Sequence, residues 1–332
     1  MQSTIIGDKP LVIMLMGPTA CGKTTLAMAL HRVLPVDIIS VDSAMVYRGM
    51  NIGTAKPTPD ELASVPHALV DIREPANSYS VAEFCNDAGR AITASIASHR
   101  IPLLVGGTMM YFKALLEGLA EMPATDTNVR AEIAATALKQ GWPALHRQLL
   151  TIDPDYARTI HPNHSQRISR ALEVYYTSGK TMSSYRRQHV TAAGAALHER
   201  YRIIQIGLLP SDRRALHQCI ARRFESMLAS GFIAEVESLW RGRGLSAKLP
   251  SLRTVGYRQL WQYLNGDYDY DTMVAKGIAA TRQLAKRQLT WLRRWPDLHC
   301  VTVQSPGDDA NIDCQIAKMV DQIVPLLPIE PR

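Results

Sequence analysis

Apolar residues in this chain cluster in short runs that alternate with stretches of helical periodicity. The runs occupy residues 11–16, 36–41, 101–105 and 202–208. The first three have the length and the largely apolar composition of strands that are buried on both faces, and residues 202–208 have the character of a further strand. Helical patterns follow at residues 24–34 and 81–100. This alternation predicts an α/β fold in which helices flank a parallel sheet.

Strand signals disappear between residues 125 and 199, where alanine is frequent and the periodicity is helical. Helices are predicted at residues 128–140, 142–151 and 164–178, with Gly179 ending the last one. We therefore expect a core of residues 1–124 and 200–332 with an all-helical insertion domain of residues 125–199.

The region after Asp212 is again helical, up to about Trp295, with breaks near residues 242–250 and 265–271. The tail after Pro306 shows little pattern. No strand or helix is predicted for it.

The formal net charge of +7 is unevenly distributed. Residues 202–294 contain sixteen Lys and Arg against seven Asp and Glu, a net +9, which leaves −2 for the rest of the chain. A localised basic surplus is typical of proteins that bind a polyanion such as RNA. A solvated basic helical face is the alternative interpretation.

Cysteine usage and hydropathy exclude several classes of protein. The five cysteines, at positions 21, 85, 219, 300 and 314, form no C-x-x-C pair, which argues against a zinc site and a disulfide framework and suits a reducing cytoplasm. The first apolar run is too short to span a bilayer. We expect a cytoplasmic protein with no membrane partner.

A glycine-rich motif follows the first predicted strand and opens the first predicted helix. It consists of Gly17, Pro18, Thr19, Ala20, Cys21, Gly22, Lys23 and Thr24, followed by Thr25. The spacing G-x-x-x-x-G-K-T is that of a P-loop, whose backbone N–H groups surround a phosphate while the lysine reaches the terminal phosphate and the threonine ligates Mg²⁺. The motif predicts a phosphate, diphosphate or nucleotide such as ATP; a glycine-rich turn with a surface lysine is the alternative.

The roles of two residues are open: Cys21 within this motif, and Asp42 after the second predicted strand. A helix N-terminus can lower the pKa of a thiol such as that of Cys21, although we interpret Cys21 as a small residue that fits the loop. Asp42 follows the second predicted strand and therefore lies at the sheet edge where α/β proteins bind ligands. It can support Mg²⁺, act as a general base, or cap a helix without any chemistry.

Six segments together resemble tRNA dimethylallyltransferases, also called tRNA isopentenyltransferases, a P-loop family related to small-molecule kinases. Besides the loop, they are Asp42–Met50 with Asn51–Pro57, Val105–Thr108 with Tyr111, Gln166–Val174, Arg253–Gln259, and Thr281–Gln288 with Trp291–Arg293. Two departures are Cys21, where serine is usual, and Met45, where many members have glutamine.

The resemblance implies transfer of a dimethylallyl group from dimethylallyl diphosphate to N6 of adenosine-37, beside the anticodon of a tRNA. It implies that Asp42 is the general base, that Thr108 holds substrate near the reaction centre, and that Arg223 grips the diphosphate. Mg²⁺ bound to Thr24 is the implied cofactor, and the implied enzyme is a monomer.

The resemblance also implies contacts with the anticodon stem-loop. Those in the core are Asp42, Ser43, Ala44, Met45, Thr108, Arg253, Thr254, Val255, Gly256, Tyr257, Arg258, Lys286, Arg287, Gln288, Leu289, Thr290, Trp291, Leu292 and Arg293. Those in the insertion are Arg130, Gln166, Arg167, Ile168, Ser169 and Arg170. The target base must leave its stack to reach Asp42.

Three other functions remain open from the sequence. An adenylate isopentenyltransferase needs neither the insertion nor the basic segment, because its acceptor is AMP. An ATP-dependent small-molecule kinase uses the same loop. A non-enzymatic RNA-binding module leaves Lys23, Thr24 and Asp42 unexplained.

Overall fold

A single parallel sheet forms the centre of the larger of two compact units. The computed structural model describes residues 9–120, 122–191, 197–242, 244–304 and 312–328. The larger unit comprises the chain up to Ala114 and from Arg200 onward. Its strands are β1 (Leu11–Met16), β2 (Val36–Val41), β3 (His67–Ala68), β4 (Ile101–Gly106), β5 (Arg202–Pro210) and β6 (His299–Val303). They are parallel and lie in the order β3-β2-β4-β1-β5-β6.

Helices of the larger unit precede and follow the strands. They are α1 (Lys23–Val33), α2 (Pro59–Ser64), α3 (Val81–Ala97), α4 (Met109–Glu117), α11 (Arg213–Ala229), α12 (Phe232–Arg241), α13 (Tyr257–Leu264), α14 (Tyr270–Leu292) and α15 (Ile312–Ile323), with a 3₁₀ turn at Val324–Leu326. The last three residues of α4 belong to the smaller unit. Strands β1 and β4 are buried along their whole length, as their uniform apolarity predicted. The predicted α/β fold is therefore confirmed.

Several elements were not predicted: the short helices α2 and α4, and also β3, β6 and α15. Strand β3 has two residues, and β6 lies at the sheet edge with only Val301 and Val303 buried. Helix α15 contributes Ile316 and Met319 to the hydrophobic core that also contains Leu26 of α1. The expectation of an unpatterned tail after Pro306 is therefore wrong for α15.

The smaller unit, Leu115–Glu199, contains helices. They are α5 (Thr127–Gln140), α6 (Trp142–Ile152), α7 (Pro154–Ala157), α8 (Ser165–Ser178), α9 (Met182–Thr191) and α10 (Leu197–Arg200), whose last residue belongs to the larger unit. The short helices α7, α9 and α10 were also not predicted. Gly179 follows α8 in the left-handed conformation, with φ of 70°. This conformation is the one expected of a glycine that ends a helix.

A buried carboxylate organises one side of the smaller unit. Glu173 on α8 is fully buried, and its Oε2 lies 2.9 Å from Nε of Arg130 and 3.1 Å from Nη1 of Arg170. Its Oε1 accepts a hydrogen bond of 2.9 Å from the backbone N–H of Asp126. Buried charge needs such partners, so Glu173 joins α5 to α8.

No helix among the described residues is both long and apolar enough to cross a membrane.

Candidate active site

The carboxyl ends of three adjacent strands lie side by side. In the sheet register, Met16 at the end of β1 pairs with Gly106 at the end of β4, and Gly106 pairs with Val41 at the end of β2. All three strands therefore end at the same edge of the sheet. The glycine-rich loop, Asp42 and Thr108 begin at this edge.

The glycine-rich loop has the tight backbone that its sequence demands. Gly22 has φ of 74°, and Ala20 also has a positive φ, of 64°. A Cβ at Gly17 would lie 3.1 Å from Cβ of Leu208 and 3.3 Å from the Lys23 side chain. The Lys23 ammonium donates a hydrogen bond of 2.6 Å to the carbonyl of Pro18, which folds the lysine back over the loop.

Two cations are brought together beneath this loop. Burial, together with the nearby charge of Arg223, lowers the pKa of Lys23 to about 8, although Cys21 and Asp42 oppose the shift. Burial also lowers the pKa of Arg223, although its interactions with Cys219 and the Asp42 carboxylate oppose this shift. In the described part of the chain neither cation forms an ion pair with a carboxylate. Desolvated cations without an anionic partner favour a bound anion.

The helical phase of α11 selects Arg223 rather than its neighbour for this role. Arg222 is exposed, whereas Arg223 is partly buried and interacts with both Lys23 and Asp42. Successive residues on a helix point about 100° apart, so only one of two adjacent arginines can face the loop.

Asp42 is held by the turn that follows it. Its Oδ1 accepts hydrogen bonds of 2.7 Å from the N–H of Ala44 and 3.2 Å from the N–H of Met45. No helix begins here, so the interpretation of Asp42 as a helix cap is wrong. Among the described residues Oδ2 has no hydrogen-bond partner, which leaves one fixed and one available carboxylate oxygen.

Thr108 joins the ends of β4 and β2. Its backbone N–H donates a hydrogen bond of 3.3 Å to the carbonyl of Val41, and its hydroxyl accepts one of 3.2 Å from the N–H of Ser43. The hydroxyl therefore contacts Ser43, the residue that follows Asp42 in the chain. Asp42, Thr108, Lys23 and Arg223 consequently share one sheet edge.

Cys21 is an inert part of the loop. Burial raises the pKa of its thiol to about 12, and the Lys23 ammonium only partly offsets this effect. Reactivity requires the thiolate. A lowered thiol pKa is therefore wrong for Cys21, and its interpretation as a small buried side chain agrees with the structure.

Two residues that sequence reasoning missed fasten the segment after Asp42. The carboxylate of Glu235 on α12 accepts hydrogen bonds from the backbone N–H groups of residues 51–53 at 2.8–3.2 Å, and one of 2.5 Å from the hydroxyl of Tyr257. The buried ammonium of Lys56 donates to the carbonyl of Tyr47 and to the carboxylate of Asp71. The Glu235 bonds to the backbone span 182–184 residues and the Lys56 bonds span 9 and 15, so neither set follows a helical or strand periodicity.

The residues predicted to bind RNA fall into three groups by exposure. The exposed ones are Ser43, Arg130, Gln166, Arg167, Arg253, Arg258, Lys286, Arg287, Thr290 and Arg293. The partly buried ones are Asp42, Ala44, Met45, Thr108, Ser169, Arg170, Thr254, Val255 and Trp291. The buried ones are Ile168, Gly256, Tyr257, Gln288, Leu289 and Leu292. The buried residues pack within the protein, and RNA contact stays a prediction for all three groups.

Comparisons with known proteins agree with this geometry. The model of the family described as IPP transferase matches residues 45–295. A tRNA isopentenylpyrophosphate transferase from Bacillus halodurans is 33% identical, with a TM-score of 0.64, over 96% of this chain and 99% of that one. A tRNA delta(2)-isopentenylpyrophosphate transferase from Staphylococcus epidermidis is 30% identical, with a TM-score of 0.65 and the same coverage.

A eukaryotic dimethylallyltransferase acting on tRNA shares the fold. It is 22% identical, with a TM-score of 0.77, over 96% of this chain and 81% of that one. The family match covers most of the chain, and the two bacterial enzymes are similar over nearly their whole lengths. The chain therefore belongs to the IPP transferase family.

Proposed function

We propose that this enzyme transfers a dimethylallyl group from dimethylallyl diphosphate to N6 of adenosine-37 in tRNA, with diphosphate as the second product. The observation that carries the proposal is the convergence of Lys23, Arg223, Asp42 and Thr108 at the carboxyl ends of β1, β2 and β4. This edge offers an anion site and a carboxylate side by side. A prenyl diphosphate and an amine acceptor need both.

Each residue has a defined task in this reaction. The bond between C1 of the prenyl group and the diphosphate oxygen breaks as the bond from C1 to N6 forms, and negative charge grows on the diphosphate. Lys23, Arg223 and the N–H groups of the loop stabilise that charge. The N6 proton passes to Asp42, whose Oδ2 is available while Oδ1 is held by the turn. Thr108 orients the acceptor beside Asp42.

Mg²⁺ fits the donor set at this edge. The described residues contain no cluster of His, Cys, Asp and Glu that could hold a metal alone. Mg²⁺ commonly combines one protein oxygen with phosphate oxygens and water. The Thr24 hydroxyl, partly exposed in the first turn of α1, supplies such an oxygen. Bound there, the ion would neutralise charge on the leaving diphosphate.

An RNA acceptor is favoured over AMP by the exposed cations of α14. Lys286, Arg287 and Arg293 are exposed, while Leu289 and Leu292 of the same helix are buried. Such a helix packs its apolar face on the core and presents its charge to a phosphate backbone. The smaller unit adds the exposed Arg167. AMP requires neither surface.

We also propose that the enzyme acts as a monomer in the cytoplasm. The five cysteines are all free thiols, which suits a reducing compartment.

A prenyl-transfer assay tests this function. Wild-type enzyme, Mg²⁺ and labelled dimethylallyl diphosphate are combined with an unmodified anticodon stem-loop, with the same stem-loop lacking adenosine at position 37, or with AMP. We expect product only with the first RNA, and a loss of at least about 100-fold in kcat for Asp42→Asn, since general-base catalysis contributes about 10²–10⁴-fold. Product from AMP, phosphate transfer from ATP, or full activity of Asp42→Asn would contradict the proposal.

A further inference from the structure

Gln288 lies on α14, the helix proposed above to present its cations to RNA, but points away from the exposed face of that helix. Its neighbours Lys286, Arg287 and Thr290 on α14 are exposed, whereas Gln288 is 8% exposed. A contact between its side chain and RNA would require it to leave the protein interior. The side chain has a different set of partners, which belong to the active-site edge.

Both polar atoms of the Gln288 side chain are used within that edge. Its Oε1 accepts a hydrogen bond of 2.9 Å from the N–H of Thr19 in the phosphate loop. Its Nε2 donates one of 3.0 Å to the carbonyl of Gly107, the residue before Thr108. One amide therefore bridges the loop after β1 and the turn after β4.

The packing around Gly107 shows how closely this bridge is fitted. A Cβ at Gly107 would lie 2.3 Å from Nε2 of Gln288 and 3.2 Å from the carbonyl oxygen of Gly17. Only a residue without a side chain can occupy this position while the bridge is in place. The glycine at position 107 and the glutamine at position 288 are thus matched to each other.

We propose that Gln288 is a positioning residue that sets the separation between the diphosphate-binding loop and the turn carrying Thr108. The amide does this without touching either substrate. Because Gln288 is on α14, it also ties the reacting centre to the helix that presents Lys286, Arg287 and Arg293. This inference rests on the proposed function for the identity of the two substrates.

Replacement of Gln288 by glutamate is the sharpest perturbation. The glutamate side chain has nearly the same shape and can still accept the Thr19 hydrogen bond, but it places a carboxylate oxygen against the Gly107 carbonyl. Gln283, exposed on the same helix, gives the matched control Gln283→Ala. Steady-state kinetics is measured for both substrates, together with tRNA affinity over a salt series and the melting temperature.

We expect Gln288→Glu to lower kcat by about 10- to 100-fold, the range in which a misplacement of about 1 Å reduces catalysis. KM for the RNA and the salt dependence of RNA binding should stay within about twofold of wild type, and Gln283→Ala should behave as wild type. An increased KM for RNA with unchanged kcat would show that Gln288 binds RNA. A lowered melting temperature with wild-type kcat would show a purely structural role. Either result would overturn the proposal.

A double-substitution experiment tests the fitted geometry independently. Gly107→Ala introduces a Cβ that collides with the Gln288 amide, so it should strongly reduce kcat in the wild-type background. In a Gln288→Ala background the colliding amide is gone, and the same substitution should cost less than one third as much. Equal costs in the two backgrounds would contradict the bridge.

The two proposals fail in different ways. A wild-type enzyme that transfers no prenyl group to the stem-loop would refute the proposed function. A wild-type enzyme that does so, with Gln288→Glu equally fast, would refute only the role of Gln288.

Discussion

Lys23 should make the affinity for a prenyl diphosphate fall as the pH rises through about 8. Burial and the charge of Arg223 lower the pKa of Lys23 to about 8 in the free protein. A bound diphosphate stabilises the ammonium and therefore raises the pKa of Lys23 in the complex. Above pH 8 the free protein must take up a proton to bind, so affinity decreases with pH.

The expected size of the effect follows from the fraction of charged Lys23. With a pKa of about 8, Lys23 is about nine-tenths charged at pH 7 and about one-tenth charged at pH 9. The dissociation constant should therefore increase about tenfold between these two pH values, if the lysine stays charged in the complex. This change corresponds to about 1.4 kcal/mol of binding free energy.

Calorimetric titration with a non-reactive prenyl diphosphate analogue measures this effect. The same titration in buffers of different ionisation enthalpy counts the protons taken up at each pH. Lys23→Met keeps the aliphatic part of the side chain and removes the ammonium, so it should bind weakly and with little dependence on pH. A wild-type affinity that is constant from pH 7 to 9, or a tenfold decrease that persists in Lys23→Met, would refute the reasoning.

Two further substitutions test contacts that hold the candidate site and the smaller unit. Glu235→Gln should reduce the free energy of unfolding by about 2 kcal/mol and raise KM for the RNA. Both oxygens of the Glu235 carboxylate accept hydrogen bonds from the N–H groups of residues 51–53 and the hydroxyl of Tyr257, whereas the carboxamide has one acceptor oxygen. Glu173→Gln should reduce the stability of the smaller unit by about 3 kcal/mol, measured by urea denaturation, because Glu173 is fully buried among arginine and backbone donors.

Glu237→Gln is the matched control for Glu235→Gln, because Glu237 lies on the same helix and its ion pair within the described residues is with the exposed Arg241. Its stability should change by less than about 0.5 kcal/mol. Equal effects of the two substitutions on α12 would contradict the anchoring role of Glu235. Urea denaturation of Glu173→Gln that matches wild type would contradict the role assigned to the buried carboxylate.

Local signals in the sequence were sufficient for the sheet and for the phosphate loop. Strand β1 is a uniform apolar run, and β2, β4 and β5 are predominantly apolar segments of strand length. The loop between β1 and α1 depends on consecutive residues, so its glycines and Lys23 could be recognised without any long-range information. Asp42 could be placed at the same edge because parallel strands end on one side of a sheet.

Elements formed by distant contacts could not be predicted in this way. Strand β6 contributes Val301 to the core but is too short and too mixed in polarity to specify a strand alone. Helix α15, by contrast, carries a local pattern that was not recognised in the sequence, with apolar residues at helical spacing: Ile312, Ile316, Met319 and Ile323. The pairing of Glu235 with the backbone of residues 51–53 joins positions more than 180 residues apart. Such hydrogen bonds carry no periodicity along the chain.

Helix α14 separates most clearly what the sequence determined from what the tertiary structure decided. Its sequence alone determined that a cationic helix exists and that Lys286, Arg287 and Gln288 lie on it in succession. Only the tertiary structure decided that Gln288 turns inward to join Thr19 and Gly107 while its neighbours remain exposed. Helical periodicity sets which residues share a face, but the direction of that face depends on what the helix packs against.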